Sequence, residues 1–299
     1  MNEIKPNSVA LSFWSPPYFV GKEYEKDATF ESWHVMLREV ISAHAKVIRP
    51  GGFMVINIDD ILCFKDEAMP RFQALNTSKQ KCQISKEMVL AAKSKNPDIS
   101  RYDLAAMLGC SEQTIDRRLN GNNIRGGKHQ VQTRVKLIGG ELESYATAAG
   151  LYLYDRRIWV KDPAWANSRW TSNTLKGVSE TEYLYVFWKP GEYSIDREKL
   201  SATEWRDWGY RQLWYVGSVR KNDDHEAKFP QELAERVIRL FSNPGDLVLD
   251  PFMGSGTTAV AALLTGRSYI GIEKELKYVR LAEAKIKEFN SQGRLHLDP

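Results

Sequence analysis

Two short stretches hold residues that could do chemistry. Residues 11–20 read LSFWSPPYFV, an apolar run that ends in Ser15, Pro16, Pro17 and Tyr18. Proline has no N–H for a strand ladder and a fixed φ, so a buried strand here runs into a stiff turn. That turn carries a hydroxyl and an aromatic ring. Residues 246–275 read DLVLDPFMGSGTTAVAALLTGRSYIGIEKE. A strand ends at Asp250 and a glycine turn follows. An alanine-rich helix starts at about Thr257, and the strand SYIGIE ends in Glu273. Gly254, Gly256 and Ala259 fit G-x-G-x-x-A, with the acid of Glu273 further along the chain. Such glycines let a ligand approach the backbone at a helix N-terminus, and the acid can bind both hydroxyls of a ribose. The spacing points to an adenosine-type cofactor without saying which one. A tight turn with no ligand is the alternative.

The surrounding elements must bring these two stretches together. Residues 8–13 read as a strand, and 29–48 place Trp33, Met36, Leu37, Val40, Ile41 and Val47 at helical spacing. RPGG (49–52) stops that helix, and FMVINI (53–58) is a buried strand, which makes strand–helix–strand, the unit of a parallel sheet. A helix is predicted over 131–149, strands over 151–160 and 182–189, and a long polar loop over 163–180. Residues 190–224 resist assignment. A helix from 231 leads into the strand LVLD at 247–250. The glycine loop lies so late that the tail beyond Glu273 cannot supply the remaining strands of a doubly wound sheet. They must come from the N-terminal half. The sheet is therefore wound in permuted order, with the proline-turn strand beside the glycine-loop strand and both ends facing one crevice.

The chain has 299 residues, 42% hydrophobic and 27% charged, which fits a soluble globular protein. No apolar run approaches the roughly 20 residues that cross a bilayer, so no membrane role is expected. The N-terminus MNEIKPNSVA lacks the pattern of a secretory signal. Cys63, Cys82 and Cys110 have neither zinc nor disulfide spacing, and the 5 histidines show no ligand spacing, so no metal is assigned. The net charge of +4 is uneven, because residues 65–139 carry 14 Lys and Arg against 7 Asp and Glu. A solvated basic face or a nucleic-acid footprint would each explain that bias.

SPPY (15–18) and DPFMGSGTT (250–258) together resemble the catalytic and cofactor motifs of the amino-group DNA methyltransferases. Catalytic motif first and cofactor motif last is the order of that family's beta group. HEAKFPQELAERVI (225–238) resembles the segment before the cofactor strand, and RRIWVKDPAW and EYLYVFWKPG resemble strands after the catalytic half. The resemblance implies an α/β fold, a permuted, doubly wound, mostly parallel Rossmann-like methyltransferase sheet with a small helical insert domain. It implies S-adenosyl-L-methionine as methyl donor and an exocyclic base amine in double-stranded DNA as acceptor, reached by flipping the base out. Ser15, Pro16, Pro17 and Tyr18 would be catalytic. Ser15 Oγ and the Pro16 carbonyl would accept from the amine, and Tyr18 would stack on the base. Asp250, Pro251, Phe252, Gly254, Ser255, Gly256, Thr257, Glu273, Lys228 and Phe229 would bind the cofactor. Serine at 15 accompanies cytosine-N4 methylation in the family, whereas aspartate accompanies adenine. Adenine-N6 methylation on the same architecture stays open, as does a DNA-binding regulator with a degenerate fold. A nicotinamide oxidoreductase shares the glycine loop but has no use for the proline turn. A cytoplasmic enzyme of a bacterium, archaeon or phage is expected, possessing a cognate restriction endonuclease if it belongs to a restriction–modification pair. Homologues usually carry a short glycine–aspartate strand before the proline motif. Here that strand is truncated or its contact is supplied otherwise.

The segment between about 62 and 128 departs from the family pattern. Within it, ISRYDLAAMLGCSEQTIDRRLNG (99–121) resembles a repressor helix-turn-helix. Ser100 caps the first helix, Leu104, Ala105 and Leu108 face inward, and Gly109 makes the turn. Ser111 caps the second helix, with Ile115 and Leu119 facing inward. Gln113, Thr114, Arg117 and Arg118 would then face DNA, with Gln113 and Arg117 suited to base edges. A two-helix packing unit with a solvated face is the plainer reading. The expected organisation is a catalytic half over 1–62, a DNA-recognition insert over 63–130, and the remainder with the cofactor loop over 131–299.

Overall fold

The computed structural model describes residues 1, 3–19, 29–66, 68–69, 83–120, 133–163, 177–194, 196–219 and 229–295. In chain order the elements are β1 (Val9–Trp14), α1 (Phe30–Val47), β2 (Ile48–Ile58), β3 (Ile61–Lys65), α2 (Lys86–Lys95), α3 (Arg101–Leu108) and α4 (Glu112–Asn120). They continue with β4 (Thr133–Lys136), α5 (Gly139–Ala148), β5 (Tyr152–Val160), β6 (Thr181–Trp188), α6 (Ala202–Glu204) and β7 (Leu213–Tyr215). The last five are α7 (Gln231–Phe241), β8 (Leu247–Asp250), α8 (Thr257–Leu264), β9 (Ser268–Gly271) and α9 (Leu276–Leu295).

β1 is apolar except for Ser12 and buried at every position, as a strand covered on both faces must be. It sits inside a seven-stranded sheet of order β7-β5-β6-β2-β1-β8-β9. β1 runs parallel to β2 and to β8, with Leu11 opposite Val248 and Ser12 opposite Leu249. β8 and β9 are parallel, as are β5 and β7, and only β6 runs antiparallel to its neighbours. The mostly parallel α/β sheet is thus wound in permuted order. The strand leading to the proline turn lies against the strand leading to the glycine loop. Leu11 and Phe13 join Val55, Val186, Leu233 and Val237 on one face, towards α7 and α8. Trp14 joins Leu37, Ile41, Ile56 and Leu142 on the other, towards α1 and α5.

Several local expectations are corrected. α1 does end at Val47, but residues 49–52 continue directly into β2 instead of forming a separate turn. The register jumps there, from Val9 opposite Ile48 to Leu11 opposite Phe53. Gly51 adopts φ 79°, and a Cβ on it would lie 1.9 Å from the Glu192 carbonyl. The helix expected from 131 is a strand at first: β4 pairs with β3, and the helix starts only at Gly139. Thr133–Lys136 is four residues long, and its strand character comes from the pairing with β3. β9 stops at Gly271, so Glu273 lies just past the strand. The unassigned 190–224 stretch holds α6, a π-helical turn over Trp205–Gly209 and β7. Most of the polar loop expected over 163–180 lies outside the described residues.

The described residues between 65 and 134 form one compact unit, and the other described residues form the second. In the smaller unit α2, α3 and α4 close on Val89, Leu104, Ala105 and Ile115. Ser100 Oγ accepts from Asp103 N at 3.1 Å to start α3, and Gly109 ends it at φ 63°. Ser111 Oγ accepts from Thr114 N at 3.2 Å to start α4.

Candidate active site

The proline turn leaves β1 at the end where parallel strands present ligand sites. Trp33 of α1 donates its Nε1–H to the Pro17 carbonyl at 2.6 Å, so a buried core indole fixes the turn. Ser15 Oγ donates to the Tyr18 hydroxyl at 3.1 Å. That hydroxyl lies 2.6 Å from Glu182 Oε2 and 3.2 Å from the Asn57 carbonyl. A phenol has one proton, and the short contact to a carboxylate takes it. Glu182, at the start of β6, is 8% exposed and forms an ion pair with Lys161. Burial, and then the Glu182 charge, hold the Tyr18 phenol well above its ordinary range. Asp59 follows β2 nearby. Its carboxylate accepts from Ser179 Oγ at 3.0 Å and from Asp60 N at 2.8 Å. Burial, and then the charge of Glu182, push Asp59 up to about 6.

The glycine loop closes on itself through two carboxylates. Asp250 Oδ1 accepts from Phe252 N at 2.9 Å, and Oδ2 accepts from Thr258 Oγ1 at 2.6 Å. Burial pushes Asp250 up to about 7 even with both bonds in place. Glu273 Oε2 accepts from Gly254 N at 2.9 Å, and Oε1 accepts from Glu275 N at 2.9 Å. The acid after β9 therefore ties down the loop after β8. Pro251, Ser255 and Gly256 are buried, while Phe252 and Thr257 are partly exposed. Gly256 stands at φ 85° before α8, and a Cβ there would meet the Ala282 Cβ at 2.9 Å. Its missing side chain serves the packing of α9 against the loop, a reason that motif spacing did not reveal. Phe252 lies 5.4 Å from Trp14, ring to ring, at the root of the proline turn. The two motifs thus meet through aromatic contact. Phe229 packs on Phe13 at 4.8 Å, and Lys228 lies outside the described residues.

Glu182, Lys161, Asp59 and Trp33 were not singled out as site residues from sequence. Two signals were available: an acid opening an otherwise apolar strand at Glu182, and an Asp-Asp pair closing another at 59–60. Behind the turn, Ser12 Oγ lies 2.8 Å from His44 Nε2, and His44 Nδ1 lies 2.6 Å from the Val40 carbonyl. A carbonyl only accepts, so Nδ1 carries the proton; Ser12 Oγ has one proton and two acceptors in reach, Nε2 and the Leu249 carbonyl at 3.1 Å, and the shorter contact to Nε2 takes it. Burial pushes His44 down to about 4, consistent with that neutral ring.

In the smaller unit, Gln113 and Arg117 are exposed and four positions apart on α4. Thr114 Oγ1 pairs with Ser111 Oγ at 3.0 Å. Arg118 Nε donates to the Ile84 carbonyl at 2.8 Å, which draws that side chain into the unit's own packing. Among the described residues no group of His, Cys, Asp and Glu could hold a metal ion, and no helix is long and apolar enough to cross a membrane.

Residues 9–284 match the family of N6/N4 enzymes described as DNA methylase. The type II methyltransferase M.BglI of Bacillus subtilis is 59% identical over 286 residues, covering 96% of this chain and 82% of that protein. A candidate DNA modification methylase of Thermus thermophilus, solved with S-adenosyl-L-methionine, superposes with a TM-score of 0.60 at 24% identity, over 96% of this chain and 89% of that one. The cytosine-N4-specific PvuII DNA methyltransferase superposes with a TM-score of 0.56 at 17% identity, over 97% and 87%. At these identities the two solved structures speak for the fold alone.

Proposed function

The chain belongs to the N6/N4 DNA methylase family and is a DNA methyltransferase whose methyl donor is S-adenosyl-L-methionine, and from that premise we propose that it methylates the 4-amino group of cytosine in duplex DNA. The observation that carries this reading is Ser15 at the head of the turn, a neutral acceptor where an aspartate would bring a charge. Its hydroxyl proton points to Tyr18, so the Oγ lone pairs are free to accept from an amine. An exocyclic amine is conjugated with its ring and is a poor nucleophile. Acceptors outside the base plane favour a more tetrahedral nitrogen, and the stiff Ser-Pro-Pro turn holds Ser15 Oγ and the Pro16 carbonyl ready for that task. A duplex hides the amine, so the base is turned out of the stack, with Tyr18 beside it.

The loop residues fit the donor. Each Glu273 oxygen accepts one backbone N–H and keeps capacity for ribose hydroxyls. Gly256 puts no side-chain cap on α8, which leaves the first N–H groups of that helix for a ligand. Asp250, Pro251, Phe252, Gly254, Ser255 and Thr257 complete the cradle. When bound, the donor supplies an electrophilic methyl group, and transfer is a displacement governed by alignment.

We read the α3–α4 pair as a helix-turn-helix that recognises the target sequence, through Gln113 and Arg117. Residues 65–139 carry the chain's excess of positive charge, which favours a DNA face there. We infer a cytoplasmic setting and, as the partner of a restriction–modification pair, a cognate restriction endonuclease. Nucleosides from unmethylated plasmid DNA treated with the protein and S-adenosyl-L-methionine, analysed by mass spectrometry, test the reading. N4-methylcytosine is expected. N6-methyladenine would overturn the choice of base, and DNA binding without either product would point to a regulator.

A further inference from the structure

The turn, β6 and the end of β5 share a chain of hydrogen bonds that converges on one carboxylate. Ser15 Oγ donates to Tyr18, Tyr18 donates to Glu182 at 2.6 Å, and Glu182 receives from Lys161. The Ser15 and Tyr18 protons point in series towards a buried carboxylate, to which Lys161 also donates. A packing role for Glu182 would be met by an apolar or amide side chain, since burying an ion pair costs desolvation energy and is rarely the most stable choice. Methyl transfer to an amine, meanwhile, leaves the nitrogen with one proton too many. Somewhere a base must take it.

We propose that Glu182 is that base, reached through Tyr18 and Ser15, with Lys161 as the positioning residue that holds the Glu182 carboxylate in place until turnover. The inference rests on the methylation of an amine held at Ser15. The nitrogen lone pair forms the N–C bond as the bond from methyl carbon to sulfur breaks, and that electron pair leaves on sulfur. The surplus N–H proton then passes to Ser15 Oγ, the Ser15 proton to Tyr18 Oη, and the Tyr18 proton to Glu182 Oε2. Glu182 ends neutral, and Ser15 and Tyr18 end as they began. No oxidant or further reactant is needed. The wire resets when the carboxyl returns its proton to water, which its 11% side-chain exposure permits.

Among the described residues, three titratable groups face Glu182: Tyr18 from the turn, Lys161 from the end of β5 and Asp59 from the end of β2. Lys161 attracts the carboxylate charge and Asp59 repels it. Burial keeps the Tyr18 phenol far from ionising, so Tyr18 relays a proton without holding a charge.

Glu182→Gln tests the proposal, because glutamine keeps an acceptor for Tyr18 but cannot take a proton. Single-turnover transfer from labelled S-adenosyl-L-methionine to unmethylated plasmid DNA should slow by about 10²-fold, with DNA and donor affinities unchanged. The rate of the parent should fall towards acid pH, and that fall should be absent from the variant. Without donor or DNA, the ultraviolet difference spectrum of Tyr18, parent minus Tyr18→Phe, should change across the acid range. The same difference taken in the Glu182→Gln background should stay constant. Should Lys161 left unpaired unfold the variant, the double change Lys161→Met with Glu182→Gln removes both charges and should be equally slow. A rate within twofold of the parent with the same pH profile in the folded single or double variant would overturn the proposal. So would a Glu182→Gln that restores what Glu182→Ala loses. A parent that methylates no DNA amine would instead sink the functional reading beneath it.

Discussion

Ser15 and Glu273 show what a residue type can disclose and what it cannot. Ser15 stood out because two prolines follow it, and the structure adds where its proton goes. On the proposed mechanism, Ser15→Ala removes one acceptor at the developing charge. Transfer should slow by about 10²-fold, with donor binding nearly intact, as single-turnover kinetics beside calorimetry would show. Equal rates would make the turn a purely structural device. Glu273 stood out as an acid past a glycine loop, yet its ties to Gly254 N and Glu275 N were not legible. Glu273→Ala should weaken S-adenosyl-L-methionine by about 1.5–3 kcal/mol, through the lost ribose acceptor and the released loop. Unchanged affinity by calorimetry in a folded variant would remove it from the site. Glu182 escaped notice for a plain reason. Its partner Tyr18 is 164 residues away, and only the sheet order brings the two together.

At the scale of elements, periodicity served well where an element buries one clean face. α7 carries Leu233, Ala234, Val237 and Ile238 towards the core, and its helix was legible from 231. It failed at β4, four residues long, whose strand character depends on pairing with β3 and not on its own burial. In the smaller unit the caps at Ser100 and Ser111 and the turn at Gly109 follow from residue type, and α3 starts and stops, and α4 starts, where those signals lie. The face of α4 needed the structure. Arg118 was expected beside Arg117 on DNA, but its Nε is engaged by the Ile84 carbonyl within the unit. The two arginines should therefore part company on mutation. Arg117→Ala should cost about 1–3 kcal/mol on the cognate site and much less on scrambled duplex. Arg118→Ala should chiefly lower the unit's resistance to proteolysis or heat. Titrations of both duplexes at several salt concentrations, with melting curves, separate these outcomes. If neither arginine affects binding or sequence preference, α3 and α4 are a packing unit and recognition lies elsewhere.

At the scale of the whole molecule, the fold is held by pairings between the two ends of the chain. β1 from the N-terminus lies between β2 and β8, and the permuted order was legible only because the glycine loop comes too late to begin a sheet of its own. What the order implies, and sequence alone did not show, is a buried polar contact at the centre of the sheet. Ser12 of β1 meets His44 of α1, and the ring stacks on Trp14 at 5.5 Å. Burial holds the folded His44 at about 4, below its ordinary 6.5. Between those values the unfolded chain binds a proton that the folded chain refuses. Stability must therefore fall as the pH drops from about 6.5 to about 4, by about 3 kcal/mol from this one residue. Asp59 and Asp250 act in the opposite sense, since burial raises them to about 6 and about 7, so their folded forms hold protons that the unfolded chain releases as pH rises. The parent's acid profile is thus a sum of opposing slopes, and His44 is isolated only by difference. Denaturant unfolding of the parent and of His44→Gln at pH 4, 5, 6 and 7 supplies it. The glutamine variant loses packing against Trp14 at every pH, which displaces the two curves by a constant. On top of that constant, the parent should lose ground to the variant steadily below about pH 6.5. A separation that stays the same across the series would mean that His44 takes up its proton in the folded sheet as readily as in the unfolded chain.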